Sequence, residues 1–200
     1  SETLHSGSIK DPKITSKFTK SILDNSERLS EMIEDLLELE KIESGGLVIK
    51  KEKLLPHSEI NKILSTIEAL LVEKKLVVEN LIKEDLFLKT DKESFRSIFS
   101  NLLNNAIKYS PEGSVISFKH YIEKKSKVIS IKDNGYGIEK KSIHRIFERF
   151  YRSSKARAHT KGTGLGLALV KQLSARIGSN ITVQSQINSG TEFFVSFKDK

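Results

Sequence analysis

The chain has no cysteine among its 200 residues. Disulfide bridges, catalytic thiolates and zinc sites of the cysteine type are therefore excluded, which fits a reducing compartment. The five histidines show no metal-ligand spacing. No apolar run approaches the ~20 residues needed to span a bilayer, and the sequence from Ser1 onward has no signal-peptide pattern. We expect a cytoplasmic protein that reaches a membrane only through residues outside this chain.

Aromatic residues are scarce beside the basic runs, so the chain lacks a stacking platform for nucleic acid. The formal net charge is +8, but the lysines are spread along the whole sequence and form no single block. We expect no nucleic-acid partner and a solvated basic surface that favours polyanionic ligands. Hydrophobic residues make up 37% and charged residues 30%, as in a globular protein of one domain, or of one domain and an appendage.

A long helix is predicted from about Lys13 to Glu43. Its apolar positions recur at seven-residue steps. One series is Phe18, Asn25, Met32 and Leu39; the other is Ile22, Leu29 and Leu36, widened by Ile33 and Leu37. At ~1.5 Å per residue the helix exceeds 40 Å, which a small domain cannot cover, so we predict a homodimeric helical bundle. The alternative is a surface helix packed on its own domain.

Ser44-Gly45-Gly46 ends this helix and predicts a domain boundary, with an appendage at 1–45 and a main domain at 46–200. The elements predicted for the main domain are a strand at Leu47–Glu52, a helix at Ser58–Lys74, strands at Leu76–Ile82 and Leu86–Lys89, a helix at Lys92–Tyr109, and a hairpin of Val115–Tyr121 with Lys127–Lys132. The hairpin breaks strict βαβ alternation, so we predict an α/β two-layer sandwich with a mixed sheet.

One helix face of the main domain offers amides and an amine. Asn101, Asn105 and Lys108 recur at spacings of four and three, while Leu102 and Ala106 pack on another face. An amide oxygen is a neutral ligand for a hard cation, and the lysine can reach an anion bound to that cation. The pattern suits a magnesium phosphate, although an isolated asparagine pair is more often structural.

Two glycine segments follow. Asp133-Asn134-Gly135-Tyr136-Gly137-Ile138 places a carboxylate at a strand end beside glycines that let a ligand approach, where it could accept a hydrogen bond from an exocyclic amine such as that of adenine. Lys161-Gly162-Thr163-Gly164-Leu165-Gly166-Leu167 leads into an amphipathic helix that ends at Gly178. The second segment is neither a Rossmann fingerprint nor a P-loop, but its glycines expose N–H groups at a helix N-terminus, which favours phosphate.

Between the glycine segments lies Phe147-Glu148-Arg149-Phe150-Tyr151-Arg152, where aromatic residues alternate with arginines. Aromatics at a three-residue spacing are typical of a core. The polar stretch from Ser153 to His159 predicts a positively charged flap.

These four segments, Asn101–Tyr109, Asp133–Ile138, Phe147–Arg152 and Gly162–Leu167, resemble in order and spacing the N, G1, F and G2 boxes of the sensor histidine kinases. That family belongs to a superfamily with DNA gyrase, the Hsp90 chaperones and MutL. The resemblance spans about Leu47 to Phe197 and implies a Bergerat-type ATP-binding fold. The long helix is similar to the second helix of that family's dimerisation and histidine phosphotransfer domain.

The resemblance implies a role for each matching residue. Asn105 would ligate Mg2+, Asn101 would assist nearby, and Lys108 would meet phosphate, so these three are the candidate catalytic residues. Tyr109, Asp133, Gly135, Gly137, Ile138 and Thr191 would form the adenine pocket. Phe150, Arg152, Gly162, Thr163, Gly164, Leu165, Gly166 and Leu167 would hold the phosphates and hinge the flap.

The implied function is transfer of the γ-phosphoryl group of Mg-ATP to a histidine, and then to a response regulator receiver domain, in two-component signal transduction. His5 is followed by Ser6-Gly7 in a predicted loop and lacks the family's Glu and Pro, so the acceptor histidine is expected upstream. We therefore expect this fragment to be unable to phosphorylate itself. The resemblance is compatible with the cytoplasmic part of a membrane-anchored sensor.

Two alternatives stay open. Related ATPases carry a water-activating Glu where this chain has Asn101, an amide that cannot act as a base, so a hydrolysing relative is disfavoured. A non-catalytic dimerisation or nucleic-acid module would rest on the long helix and the positive charge.

Overall fold

The computed structural model describes residues 12–123, 126–153 and 162–198. The helices are α1 Pro12–Glu43, α2 Pro56–Thr66, α3 Glu68–Glu73, α4 Lys92–Tyr109 and α5 Gly166–Ile177, with a 3-10 turn at Lys140–Ser142. The strands are β1 Lys51–Leu54, β2 Val77–Asn80, β3 Leu88–Asp91, β4 Val115–Glu123, β5 Ser126–Asp133, β6 Ser179–Gln186 and β7 Gly190–Lys198.

Five strands form a mixed sheet in the order β2-β4-β5-β7-β6. β2 runs parallel to β4, and the remaining neighbours are antiparallel. The register between β5 and β7 sets Asp133 opposite Thr191. The last residue of β5 and the beginning of β7 therefore lie side by side at one end of the strands, which we call the sheet edge. β1 and β3 form a separate antiparallel pair.

Helices α4 and α5 pack on each other and cover one face of the sheet. The core between the two layers contains the aromatic side chains Phe95, Phe99, Phe118, Phe193 and Phe197 among aliphatic ones. Phe95 and Phe99 lie with ring centroids 4.5 Å apart. The predicted two-layer α/β sandwich with a mixed sheet is confirmed.

Helix α4 begins at the residue that its sequence indicates, because Asp91 is an N-cap. Its Oδ1 accepts from the backbone N–H of Ser94 (2.9 Å) and from Ser94 Oγ (2.6 Å), and its Oδ2 accepts from Lys50 N (3.0 Å). These three donors lower the pKa of Asp91 against the opposing effect of burial. One side chain therefore fixes both the start of α4 and the approach to β1.

The long helix α1 ends on the sandwich. Leu39 and Ile42 are buried in the same core as the other elements. Ser97 Oγ donates to Glu38 Oε1 (3.3 Å), and Arg149 forms an ion pair with Glu43. The apolar positions predicted to form one stripe lie on two faces of this helix. Met32 and Leu39 face the domain, and the other face is exposed. The exposed stripe contains Phe18, Ile22, Leu29, Ile33, Leu36 and Leu37.

Two predicted elements differ from the structure. The helix predicted at Ser58–Lys74 is two helices, because the backbone leaves the helical region at Ile67 (φ −122°, ψ 12°). The strand predicted at Leu47–Glu52 lies later in the chain, as β1 at Lys51–Leu54. The flap prediction falls largely on residues 154–161, and His5 on residues 1–11, which lie outside the described residues.

Candidate functional site

A cavity of about 690 Å³ opens between α1, α4, the sheet edge and the N-terminus of α5. It brings together fourteen of the residues singled out in the sequence: Asn101, Asn105, Lys108, Tyr109, Asp133, Gly137, Ile138, Arg152, Gly162, Thr163, Gly164, Gly166, Leu167 and Thr191. Segments far apart in the sequence therefore share one site of a size suited to a small-molecule ligand.

The sheet edge supplies a buried carboxylate. Asp133 Oδ1 accepts from the backbone N–H groups of Gly135 (2.8 Å) and Thr191 (3.1 Å). Burial raises the pKa of Asp133 to about 6, although both N–H donors lower it. Its Oδ2 has no protein donor among residues 12–123, 126–153 and 162–198. An acceptor of this kind suits the amino group of a base.

Beside Asp133, a short chain of hydroxyl groups continues the polar edge. Ser185 Oγ and Thr191 Oγ1 are 2.9 Å apart, and Ser185 Oγ accepts from the backbone N–H of Ile138 (2.8 Å). Phe193, Ile138 and Ile146 add apolar lining. This end of the cavity can therefore hold a flat, partly apolar ring with a polar edge.

Glycines let the backbone approach closely around this pocket. A Cβ atom on Gly135 would collide with the carbonyl oxygen of Tyr109, the last residue of α4. Gly137 has φ +68°, and a Cβ there would collide with the carbonyl oxygen of Gln186. The two glycines thus allow the turn after β5 to fit between α4 and the turn after β6.

The opposite end of the cavity is formed by α4 and the N-terminus of α5. Asn105 lines the cavity, and its amide forms no hydrogen bond within the described chain. Asn101 differs: its Nδ2 donates to Ser97 O (2.9 Å), and a Cβ on Gly166 would lie 2.6 Å from its Oδ1. Asn105 is therefore available to a ligand, whereas Asn101 packs α4 against α5.

Helix α5 presents its N-terminus to the same space. Among the described residues no side chain caps it, and both Gly166 and Leu167 line the cavity. Lys108 Nζ lies near Gly162, 3.2 Å from where a Cβ atom would stand. Uncapped N–H groups and an ammonium group have the chemistry to bind an anion, so we call this part of the cavity the anion-binding end.

An amide oxygen fits a magnesium ion that takes its other ligands from phosphate and water. The described residues contain no cluster of three or more His, Cys, Asp or Glu side chains that could hold a metal alone. Asn105, with an unused amide next to the anion-binding end, is the residue placed for that role, so the site fits Mg2+ bound together with a phosphate ligand.

Three of the predicted binding residues lie off the cavity. Gly135 is behind Asp133 and packs on Tyr109, while Leu165 is fully buried in the core. Phe150 is 57% exposed with φ +60°, and its N–H donates to Gly164 O (2.9 Å). These residues support the cavity wall. Phe150 is not part of the core, contrary to the expectation from the aromatic spacing.

Sequence reasoning missed the acidic residues that α1 adds. Glu31, Glu34 and Asp35 line the anion-binding end, and Asp35 Oδ2 accepts from Thr163 Oγ1 (3.0 Å). Burial raises the pKa of Asp35, although Thr163 and Lys108 lower it. No local pattern indicates this contact, because it depends on how a distant helix packs.

Residues 90–200 match the family model described as histidine kinase-, DNA gyrase B- and HSP90-like ATPase. The chain belongs to this family, and its ATP-binding domain is of the kind found in two-component sensor kinases. Among curated proteins it is 31% identical to the sensor histidine kinase WalK of Bacillus subtilis over 100% of the chain and 33% of that protein. It is 32% identical to the sensor protein kinase WalK of Staphylococcus aureus over 98% of the chain and 48% of that protein.

The chain therefore spans about a third to a half of the length of these curated relatives. Among solved structures, the histidine kinase AdeS of Acinetobacter baumannii superposes with a TM-score of 0.80 at 25% identity, covering 100% of this chain and 91% of that one. Histidine kinase ThkA, solved in complex with the response regulator protein TrrA, has a TM-score of 0.77 at 18% identity and shares the fold, covering 99% of this chain and 57% of that one. Within residues 12–123, 126–153 and 162–198, none of the helices combines the length and the hydropathy of a membrane span.

Proposed function

We propose that this chain is the catalytic part of a sensor histidine kinase that donates the γ-phosphoryl group of Mg-ATP to a histidine outside the chain, for relay to a response regulator. One observation carries the proposal: a single cavity has a buried acceptor, Asp133, at one end and an anion-binding end at the other, formed by Asn105, Lys108 and the N-terminus of α5. An adenine nucleotide has matching chemistry at its two ends.

In this proposal Asp133 orients the nucleotide, because its Oδ2 accepts a hydrogen bond from the adenine amino group. Lys108 and the N–H groups of Gly166 and Leu167 hold phosphate oxygens. Asn105 would hold Mg2+, which when bound neutralises phosphate charge. The bond between the γ-phosphorus and the bridging oxygen breaks, a bond from that phosphorus to an imidazole nitrogen forms, and ADP leaves. Positioning and electrostatics supply the catalysis.

Donation to protein is favoured over hydrolysis by Asn101. Its side chain is an amide, which is not basic enough to take a proton from water, and its Nδ2 already donates to Ser97 O. The division 1–45 and 46–200 belongs to the same proposal, with α1 as part of the dimerisation domain. Its exposed apolar stripe supports a homodimer.

Replacing Asn105 with Ala tests the metal role. We expect the variant to lose magnesium-dependent enhancement of ATP binding, because in this proposal the amide oxygen of Asn105 is the protein ligand of the metal. Isothermal titration with ATP, with and without Mg2+, measures the difference. Asn180→Ala, an exposed asparagine on β6, is the matched control. Unchanged magnesium dependence in Asn105→Ala would refute the assignment.

A further inference from the structure

A second cavity of about 520 Å³ lies beside the first, between α1 and the Phe147–Arg152 segment. It shares Tyr151, Arg152 and Thr163 with the nucleotide cavity, so a ligand bound there would lie next to the anion-binding end. Its remaining lining comes from residues that the proposed reaction does not use.

The lining of this second cavity is strongly basic. Arg28 comes from α1, and Arg145, Arg149 and Arg152 come from the Phe147–Arg152 segment and the turn before it. Among the described lining residues the acidic one is Glu148, which is paired with Arg145 at 3.1 Å. Positive charge therefore exceeds negative charge along this cleft, which favours an anion.

Two of these arginines are held in place by other groups. Arg149 pairs with Glu43 near the end of α1, and Arg145 lies over the Tyr151 ring, with Cζ 4.3 Å from the centroid. A guanidinium carries five N–H donors, so one ion pair leaves donors for a ligand. The cavity wall is thus built before a ligand arrives, which lowers the entropic cost of binding.

Arg28 is the lining arginine that forms no hydrogen bond or ion pair with a described residue. Its Nε atom is buried and has no hydrogen-bond partner in the part of the chain that the structure describes. Residues 154–161 contain no Asp or Glu, so that segment has no carboxylate to offer. A ligand in the cavity cannot reach this buried Nε, but the terminal N–H groups of the Arg28 guanidinium also have no partner among the described residues, so they are the donors that an oxyanion would meet.

We propose that the second cavity binds a phosphoryl oxyanion, with Arg28 as its principal donor, at the same time as a nucleotide occupies the first cavity. Two sources share this chemistry: free inorganic phosphate, and a phosphoryl group bonded to nitrogen on a protein side chain. The second source rests on the proposed kinase function. The existence of the site does not, since it depends on the arginines alone.

Calorimetric titration of inorganic phosphate at constant ionic strength tests the site, with the nucleotide cavity empty and with it saturated by ADP. We expect saturable binding under both conditions, and about tenfold weaker phosphate affinity in Arg28→Ala with ADP affinity unchanged. Arg28→Lys, which keeps the charge, should be intermediate. Lys20→Ala removes one positive charge from an exposed position of the same helix and should match the unmodified chain.

Equal phosphate affinity in Arg28→Ala and Lys20→Ala would overturn the proposal, as would complete exclusion of phosphate by ADP, which would place phosphate in the nucleotide cavity. Phosphoramidate distinguishes the sources. Binding at least as tight as phosphate supports a phosphoryl group on nitrogen, and binding of phosphate alone supports the free ion. If ADP fails to bind, the kinase proposal fails, while the titration without ADP still decides the second cavity.

Discussion

Asp133 lies at the end of β5 with two backbone N–H donors on one oxygen, and burial raises its pKa to about 6. A folded-state pKa above the unfolded value means that this group favours folding at low pH, and that the benefit is lost as pH rises from about 4 through about 6. Ionised Asp133 therefore costs about 3 kcal/mol of stability at neutral pH, at 1.36 kcal/mol per unit.

Asp133→Asn should have opposite effects on two properties, raising the free energy of unfolding and abolishing nucleotide binding. We expect its free energy of unfolding at pH 7.5 to exceed that of the unmodified chain by up to about 3 kcal/mol, because a neutral amide avoids the burial of charge. The gain should vanish as pH approaches 4. Adenine nucleotide binding should be lost, since the amide can present a donor to the amino group. Urea denaturation across this pH range and nucleotide titration measure both effects; a variant no more stable at pH 7.5 would contradict the burial argument.

The chemistry of single residues was the part of the site most open to prediction from sequence. Asp133, Asn105 and Lys108 belong to short segments whose residue types already indicate a ligand. The expectation that Phe150 belongs to a core is wrong, because an aromatic spacing does not show that the residue has positive φ and is 57% exposed. A donor such as Arg28 gives no local signal, since what matters is the acceptor that it lacks.

At the scale of elements, α4 was predictable because residues next to its two ends determine where it begins and stops. Asp91 caps it, and Ser110-Pro111 stops it. The break between α2 and α3 at Ile67 was not predictable, as the apolar pattern continues across it. How α1 packs on the domain could not be predicted either, because the helix has two apolar faces. Its sequence does not indicate that Met32 and Leu39 face the domain while Leu29 and Ile33 remain exposed.

Docking of α1 should oppose nucleotide binding. Asp35, Glu34 and Glu31 bring negative charge to the anion-binding end of the cavity, and Asp35 accepts a hydrogen bond from Thr163. Asp35→Asn keeps an acceptor for Thr163 but removes the charge, so we expect a several-fold gain in ADP affinity without Mg2+, larger at low salt. Glu40→Gln, on an exposed part of the same helix, is the control. Equal affinities in the two variants would show that the charge has no effect.

For the whole molecule, the exposed stripe of α1 is the feature that the sandwich leaves uncovered. Leu29, Ile33 and Leu37 are 58–63% exposed. Burial of such side chains contributes about 25 cal/mol per Å² of apolar area, so a second copy of the helix would stabilise the pair. The length and the apolar period of α1 could be predicted from the sequence. That this stripe contacts a second copy of the chain is an expectation that rests on the length of the helix.

Ile33→Glu should weaken self-association, because it places a charge in the centre of the stripe. We expect the unmodified chain to sediment as a dimer at micromolar concentration and the variant as a monomer with an intact fold by circular dichroism. Ser16→Glu introduces the same charge on another face of α1 and should remain dimeric. A monomeric unmodified chain, or dimers in all three, would remove the support for the helical bundle.

The central claim is that one cavity recognises adenine at Asp133 and phosphate near Asn105. Calorimetric titration with ATP and GTP in the presence of Mg2+ at pH 8, where Asp133 is ionised, tests it most directly. The two nucleotides share their phosphates and differ at the base, where GTP presents a carbonyl oxygen in place of the amino group. We expect ATP to bind and GTP to bind at least tenfold more weakly. Equal affinity for both nucleotides, or no binding of ATP, would contradict the account.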